Sequence, residues 1–404
     1  MALASAIYRL ISGFQSIASR EFPRRSLAEY SEHSTDQELE IAIMNSENAD
    51  SQDLRIPRRT FIRRAAAFTG ATAVLGAMPH KLFAADSKPV LVNSIRSLAN
   101  PYHATWNQGG ADFAKSVGCD YVTLVTEGNS EKGIADVRAV VAKTGGNMVL
   151  NVDPNDSPDA RAIVEACVNA KAHVVTQWNK PADLHPQDFN PYYVAHIIFD
   201  GVTYGQQTAE ALFKAFGGSG GIVGLGGILS NTPAIQRKQG LEKALAANPN
   251  VKLLDFQVAN WKPSEALTIT GTWLTRFGSD IKGVWCANDD MATGALEALR
   301  GEGLAGKIHV CGTDGIKLAV EAVKSGEMAA TASWNPYWQG GMGLSIGYAA
   351  RLGKFDVASE PPNHRDYSAK GILVTKENVD DFLKNYVLAT PTVDWNDYWG
   401  NLAS

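Results

Sequence analysis

From residue 88 onward, short apolar runs alternate with longer amphipathic stretches. Runs of strand length occupy 90–95, 121–126, 148–152, 173–177 and 193–199, then 221–226 and 251–257. The segments 283–296 and 308–315 each open on another such run, and 328–334 is the last. Between them, helical spacing of apolar residues predicts helices over 104–117, 134–144, 159–170, 205–216, 233–247 and 264–277. Strand–helix alternation of this kind builds parallel sheets covered on both faces. The cycle restarts after about 110–130 residues, near the size at which one core stops growing. The expectation is therefore an α/β fold of two similar doubly wound lobes. Phe199-Asp200-Gly201, Trp334-Asn335-Pro336 and Ser359-Glu360-Pro361-Pro362 redirect the backbone and read as crossovers between the lobes. That divides the chain into 87–200 plus 335–360, 201–334 plus 361–389, and a tail over 390–404. Trp395, Tyr398 and Trp399 suit that tail to docking on a lobe.

The polar residues that end the strands are the candidate chemistry. Asn288 and Asp314 close consecutive apolar runs just as the next amphipathic stretch begins. In a parallel sheet such positions face the crevice where ligands sit, although Asn and Asp also cap helices there. An aromatic residue beside an amide or carboxylate recurs at these ends. Arg96 and then Asn100, Tyr102 and His103 follow the first strand; Trp178 and Asn179 follow the fourth. Asn260 and Trp261, Asn288, Asp314 and finally Trp334 follow later ones. Sugars and polyols offer apolar C–H faces to flat rings and hydroxyls to amides and carboxylates, and unmatched buried groups penalise the wrong ligand. A single tryptophan reads equally well as a plug for its own lobe. Gly-x-Ser-x-Gly, His-Glu-x-x-His and a phosphate loop ending in Gly-Lys-Ser/Thr are all missing from the sequence, so no enzyme is expected. The stretch Gly224-Leu225-Gly226-Gly227 lacks the third glycine of a dinucleotide fingerprint, so no cofactor is expected either.

Composition narrows the class. The chain has 404 residues, 45% of them hydrophobic and 20% charged, with a net charge of −5. That balance opposes a nucleic-acid surface, which needs clustered positive charge. Pro57-Arg58-Arg59-Thr60-Phe61-Ile62-Arg63-Arg64 is followed by an uncharged stretch and then Lys81-Leu82-Phe83-Ala84-Ala85-Asp86. Paired arginines, a moderately apolar core and small residues, in this order, resemble a twin-arginine export signal over 57–86, which implies the periplasm. Residues 1–56 read as an over-extended start or a disordered extension. Cys119, Cys167, Cys286 and Cys311 lack metal-ligand spacing, so no metal is expected; Cys286 and Cys311 lie in expected strands and read as buried free thiols, with a disulfide in the oxidising periplasm as the alternative.

Five motifs together resemble the periplasmic sugar-binding proteins of the ribose/galactose-binding type, over roughly residues 88–385. They are Asn100-Pro101-Tyr102, Asp200-Gly201-Val202 through Gly205, Arg237-Lys238-Gln239-Gly240, Ala287-Asn288-Asp289-Asp290-Met291-Ala292 through Leu296, and Gly312-Thr313-Asp314-Gly315. The resemblance implies two Rossmann-like lobes joined by a three-segment hinge and closing on one sugar. It implies that Asn100, Tyr102 and His103 hold the ligand from the first lobe. Trp261 then stacks on it, Asn288 and Asp314 bind hydroxyls, and Trp334 sits at the hinge beside it. Three positions depart from the family pattern. Trp178-Asn179 replaces an Asp-Arg pair, Ile235 stands where relatives place a sugar-binding arginine, leaving Arg237 to its helix, and Trp334 replaces a hinge glutamine. A site richer in indole and poorer in charge implies a ligand other than ribose or galactose, a smaller or less polar polyol. The implied partners are a small neutral sugar or polyol, an ABC permease in the inner membrane and a chemoreceptor, with the protein a monomer. The competing readings are a sugar-sensing regulator of the lactose-repressor type, which needs a DNA-binding helix-turn-helix in front, and a binding protein serving a chemotaxis or sensor receptor.

Overall fold

The computed structural model describes residues 88–389 and 391–403. The export signal expected over 57–86 and the extension expected before it lie outside the described residues. Among those described, no helix is long and apolar enough to cross a membrane.

Two six-stranded sheets form the framework. The first contains β1 (Val90–Ile95), β2 (Tyr121–Val125), β3 (Met148–Val152), β4 (His173–Gln177), β5 (Tyr193–Phe199) and β11 (Asp366–Ala369), in the order β11-β5-β4-β3-β1-β2. All its pairs are parallel. The second contains β6 (Gly220–Gly226), β7 (Val251–Val258), β8 (Ile281–Cys286), β9 (His309–Cys311), β10 (Met328–Ser333) and β12 (Ile372–Thr375), in the order β12-β10-β9-β8-β6-β7. Only β12 runs antiparallel there. The chain winds outward both ways from β1 and again from β6, which makes the carboxyl ends beside them the topological switch points.

Helices start where the sequence supplies caps. Asn100 accepts from the Tyr102 and His103 amides at the head of α1 (Pro101–Val117), and Gly118 ends it at φ 64°. That cap places the true start three residues earlier than the expected 104. Between them run α2 (Ser130–Thr144) and α3 (Asp159–Asn169) in the first lobe, then α4 (Gly201–Ala215), α5 (Thr232–Ala247), α6 (Pro263–Phe277), α7 (Asp289–Gly301) and α8 (Lys317–Ser325) in the second.

One long helix, α9 (Pro336–Arg351), was not expected from the pattern. Nearly all of its residues are buried, so it shows no polar face to set a period. Its glycines let backbones meet: a Cβ on Gly340 would lie 1.9 Å from the Trp106 carbonyl oxygen, and one on Gly343 2.2 Å from Asn151 Oδ1. A buried amide ladder holds it to the first sheet. Gln177 Nε2 donates to Asn151 Oδ1 (2.7 Å) and to the Gln339 carbonyl (2.9 Å), and Asn151 Nδ2 donates to Asn93 Oδ1 (2.9 Å). These otherwise costly polar groups thus bond one another across three strands, with Gln177 Oε1 left without a partner.

The lobes are joined at 199–201, 333–336 and 369–372. The third crossover is therefore Lys370-Gly371, not the expected Ser359–Pro362 segment. Because β11 pairs with β5, residues 361–369 belong to the first lobe, which corrects the boundary drawn at 361. The prolines there only turn the chain into a one-turn helix ahead of β11. The tail docks on the first lobe. Lys370 N donates to the Asn401 carbonyl and Ala403 N to the Ser368 carbonyl, covering the β11 edge. Trp399 stacks on His364 at 4.1 Å, and Trp395 packs against Phe113 at 5.8 Å. All four cysteines are free thiols, and burial pushes that of Cys167 up to about 12.

Candidate functional site

The carboxyl ends of both sheets meet at one cavity of about 670 Å³ between the lobes, within the usual range for small-molecule clefts. Arg96, Asn100, Tyr102, His103, Trp178, Asn179, Trp261, Asn288 and Asp314 all line it, as does Asn260. Trp334, the remaining expected residue, is fully buried and lies behind the wall. It sits on the second crossover, its ring 4.8 Å from Phe199, 4.5 Å from Tyr204 and 5.8 Å from Trp178. A Cβ on Gly371 of the third crossover would meet its ring at 2.4 Å, so the indole braces the hinge. Tyr204 reinforces this by donating to the Gly371 carbonyl at 2.5 Å.

Backbone strain collects at the cleft. Seven non-glycine residues among those described have positive φ, and Glu127, Trp178, Asn260, Trp261 and Asp314 of them line the cavity. Tryptophan at φ 61° or 63° costs of order 1–3 kcal/mol and persists only where its surroundings insist. For Trp261 the surroundings are visible. Its indole lies where any Cβ on Gly227 would fall, about 2.0 Å from the ring, and its Nε1 donates to Asn231 Oδ1 at 2.8 Å. Asn288 caps α7 through Oδ1 and also lines the cavity, so the cap and cleft positions coincide in one residue.

The expectation of a site poor in charge is overturned. Arg237 is 3% exposed and lines the cavity instead of serving its helix alone. Its guanidinium lies 5.2 Å, 5.8 Å and 5.9 Å from the rings of Trp178, Trp261 and Trp334. Nη1 donates to the Ala287 carbonyl at 2.7 Å and approaches Asp314 at 3.8 Å, while Nε has no partner. Ile235 is half exposed and does not line the cavity. Asp153 and Asp290 also face it: Asp153 Oδ2 lies 3.2 Å from His103 Nε2, and Asn100 donates to Asp290 at 2.7 Å across the cleft. Burial drives the Asp314 carboxyl well above its usual range; Arg237 pulls it back, and Asp289 and Asp290 add to the rise. Asp290 is pushed up to about 6 by burial, partly offset by His103 and Asn100. Asp289, fully buried behind the wall, is raised to about 7 for the same reason, although Thr331 Oγ1 and Ile316 N donate to it. The site thus offers flat rings, the buried guanidinium of Arg237 together with Arg96 and Lys262, and several buried acidic side chains that need hydrogen-bond partners.

A band of hydrogen bonds shuts the cleft beside the cavity. Asn231 Nδ2 donates to the Asn155 carbonyl (2.8 Å) and Asp156 Oδ1 (2.9 Å), and Arg96 Nη2 donates to Asn231 Oδ1 (3.3 Å). Thr232 N donates to Asn179 Oδ1 at 3.1 Å, Ser157 and Thr232 share a bond at 3.0 Å, and Ser230 donates to Asp156. Asn179 is spent on this band and on Asp153, to which it donates at 3.0 Å.

The family model for the periplasmic binding protein domain matches residues 91–354. A xylitol-binding protein from Mycolicibacterium smegmatis is 37% identical over 197 residues, which are 49% of this chain and 54% of that protein. The chain thus aligns with about half the length of that relative. A ribose import binding protein from Salmonella typhimurium is 29% identical over 65% of this chain and 84% of its own. A crystal structure described as a twin-arginine translocation pathway signal protein from Burkholderia phytofirmans superposes with a TM-score of 0.77. It is 55% identical and covers 79% of this chain and 98% of that one.

Proposed function

The chain belongs to the periplasmic binding protein family, and on that premise we propose that it captures a neutral sugar or polyol for an ABC importer. The carrying observation is the convergence of Trp261, Arg237 and Asp314 on one interlobe cavity. Trp261 covers a C–H face, Arg237 Nε donates to a ligand oxygen, and Asp314, Asp290 and Asp153 accept from hydroxyls. Asn100, Asn288, His103 and Tyr102 complete the proposed wall, with Trp178 as an apolar floor and Trp334 holding the hinge behind it. The named ligands of the relatives, xylitol and ribose, are uncharged polyhydroxyl compounds of this kind. The binding proteins matched lend no support to the repressor reading.

Binding in a hinged cleft shifts the population toward the closed form, by no more than the ligand's preference for that form. The closed form is what the importer's permease is proposed to recognise. The proposed place of work is the periplasm, reached through the twin-arginine signal over 57–86. A thermal-shift panel of D-ribose, D-galactose, xylitol and myo-inositol tests the reading, because a ligand bound only by the folded form raises the melting temperature by mass action. The reading expects at least one strong shift, and it fails if pentoses, hexoses, pentitols and inositols all leave the melting temperature unmoved.

A further inference from the structure

We propose that Asn231 is the positioning residue that couples stacking on Trp261 to closure of the two lobes. The proposal rests on the sugar-capture reading above. Asn231 occupies the N-cap position of α5, yet its side chain makes no cap hydrogen bond. Asn100, Asn129, Asn288 and Asn335 all do cap their own helices. The Asn231 carboxamide turns away instead and is 99% buried, at 1% exposure, between the lobes.

Its whole hydrogen-bonding capacity is used there, two donors and two acceptor sites. Three of the four partners belong to the first lobe: the Asn155 carbonyl, Asp156 and Arg96. The fourth is the indole N–H of Trp261 in its own lobe. One amide therefore fixes the tilt of the ring proposed to stack on the ligand and grips the opposite lobe with the same oxygen. When the lobes part, three bonds break together and water replaces them. When a ligand settles against Trp261, the ring holds that oxygen where Arg96 meets it. Closing the cleft and seating the ligand thus favour each other, which slows escape more than entry.

The test is stopped-flow tryptophan fluorescence on the full mature chain, with D-ribose, D-galactose, xylitol and myo-inositol as probes, comparing wild type with Asn231→Ala and Asn231→Asp. The aspartate keeps the shape but cannot donate to Asn155 and sets a second carboxylate against Asp156. We expect the dissociation rate to rise about 10- to 100-fold in both variants and the association rate to change less than about threefold. Small-angle scattering at saturating probe should show a larger radius of gyration for both. The melting temperature without probe should stay within a few degrees of wild type, since three of the four bonds form only on closure. Unchanged dissociation rates in both variants overturn the proposal alone. A fall in unliganded melting temperature with no rise in dissociation rate also overturns it, because the role is then structural. If wild type binds none of the probes, the sugar reading falls and this inference with it.

Discussion

Arg237 and Asp314 provide the sharpest energetic test of the site. Their closest atoms are 3.8 Å apart and both residues are buried. At an effective dielectric near 20 that separation is worth about 4 kcal/mol of attraction. Breaking a buried pair by removing one partner typically costs about 3–5 kcal/mol, because the other charge is left alone. The two halves are not equivalent. Asp314 already sits well above the usual carboxylate range, so on losing Arg237 it takes up a proton and limits the damage. Arg237 cannot lose its proton and has no such escape. Asp314→Asn should therefore cost more than Arg237→Met in urea unfolding followed by circular dichroism near neutral pH. The first should lose about 3–5 kcal/mol; the second about 2–3 kcal/mol, mainly its cation–π contacts and the bond to Ala287. The double variant should cost little more than the worse single one, a coupling of about 2–3 kcal/mol. Lowering the pH should shrink the cost of Arg237→Met as Asp314 becomes protonated. Costs that add to within about 0.5 kcal/mol, with no pH dependence, would refute the reasoning.

Trp261→Ala should weaken binding of the thermal-shift hit by about 1–3 kcal/mol in calorimetry, with unliganded stability nearly unchanged because the ring is only partly buried. Asp290 keeps its proton up to about pH 6 when folded, whereas an unperturbed aspartate loses it near pH 4. Between those values the folded form binds more protons than the unfolded, so unfolding free energy should fall as pH rises, and Asp290→Asn should flatten that slope in urea titrations. Ending the chain at residue 390 uncovers the β11 edge and the partners of Trp395 and Trp399. The melting temperature should drop by several degrees with visible aggregation, and a tail-free chain as stable as wild type would contradict the docking account.

Much of this architecture was legible from residue pattern. Apolar runs marked the strands of both sheets up to β10, since buried parallel strands need continuous apolar side chains. What escaped had no period to read. The α9 helix is buried all round and rich in glycine, while β11 and β12 have four residues each. Missing them misplaced the third crossover. At the site, strand-end residues such as Asn288 and Asp314 were visible because a polar residue interrupts an apolar run. Arg237 was not, because it lies inside a helix. The signal was nonetheless present: Pro233, Arg237, Leu241 and Ala244 form one buried stripe of α5, and an arginine on such a stripe demands an anionic or aromatic partner. Asp153 follows β3 as Asn288 follows β8, but no neighbouring aromatic marks it in the sequence. Nothing in the sequence marks Asn231, whose side chain leaves the head of α5 and crosses the cleft.

The most direct measurement is a crystal structure of residues 87–404 grown with whichever sugar or polyol most raises the melting temperature. The account predicts one molecule between the lobes, a C–H face against Trp261, hydroxyls on Asp314 and Asp290, an oxygen on Arg237 Nε, and the Asn231 bonds formed. Density for that molecule outside the cleft, or within it but touching neither Trp261 nor Asp314, would contradict the account.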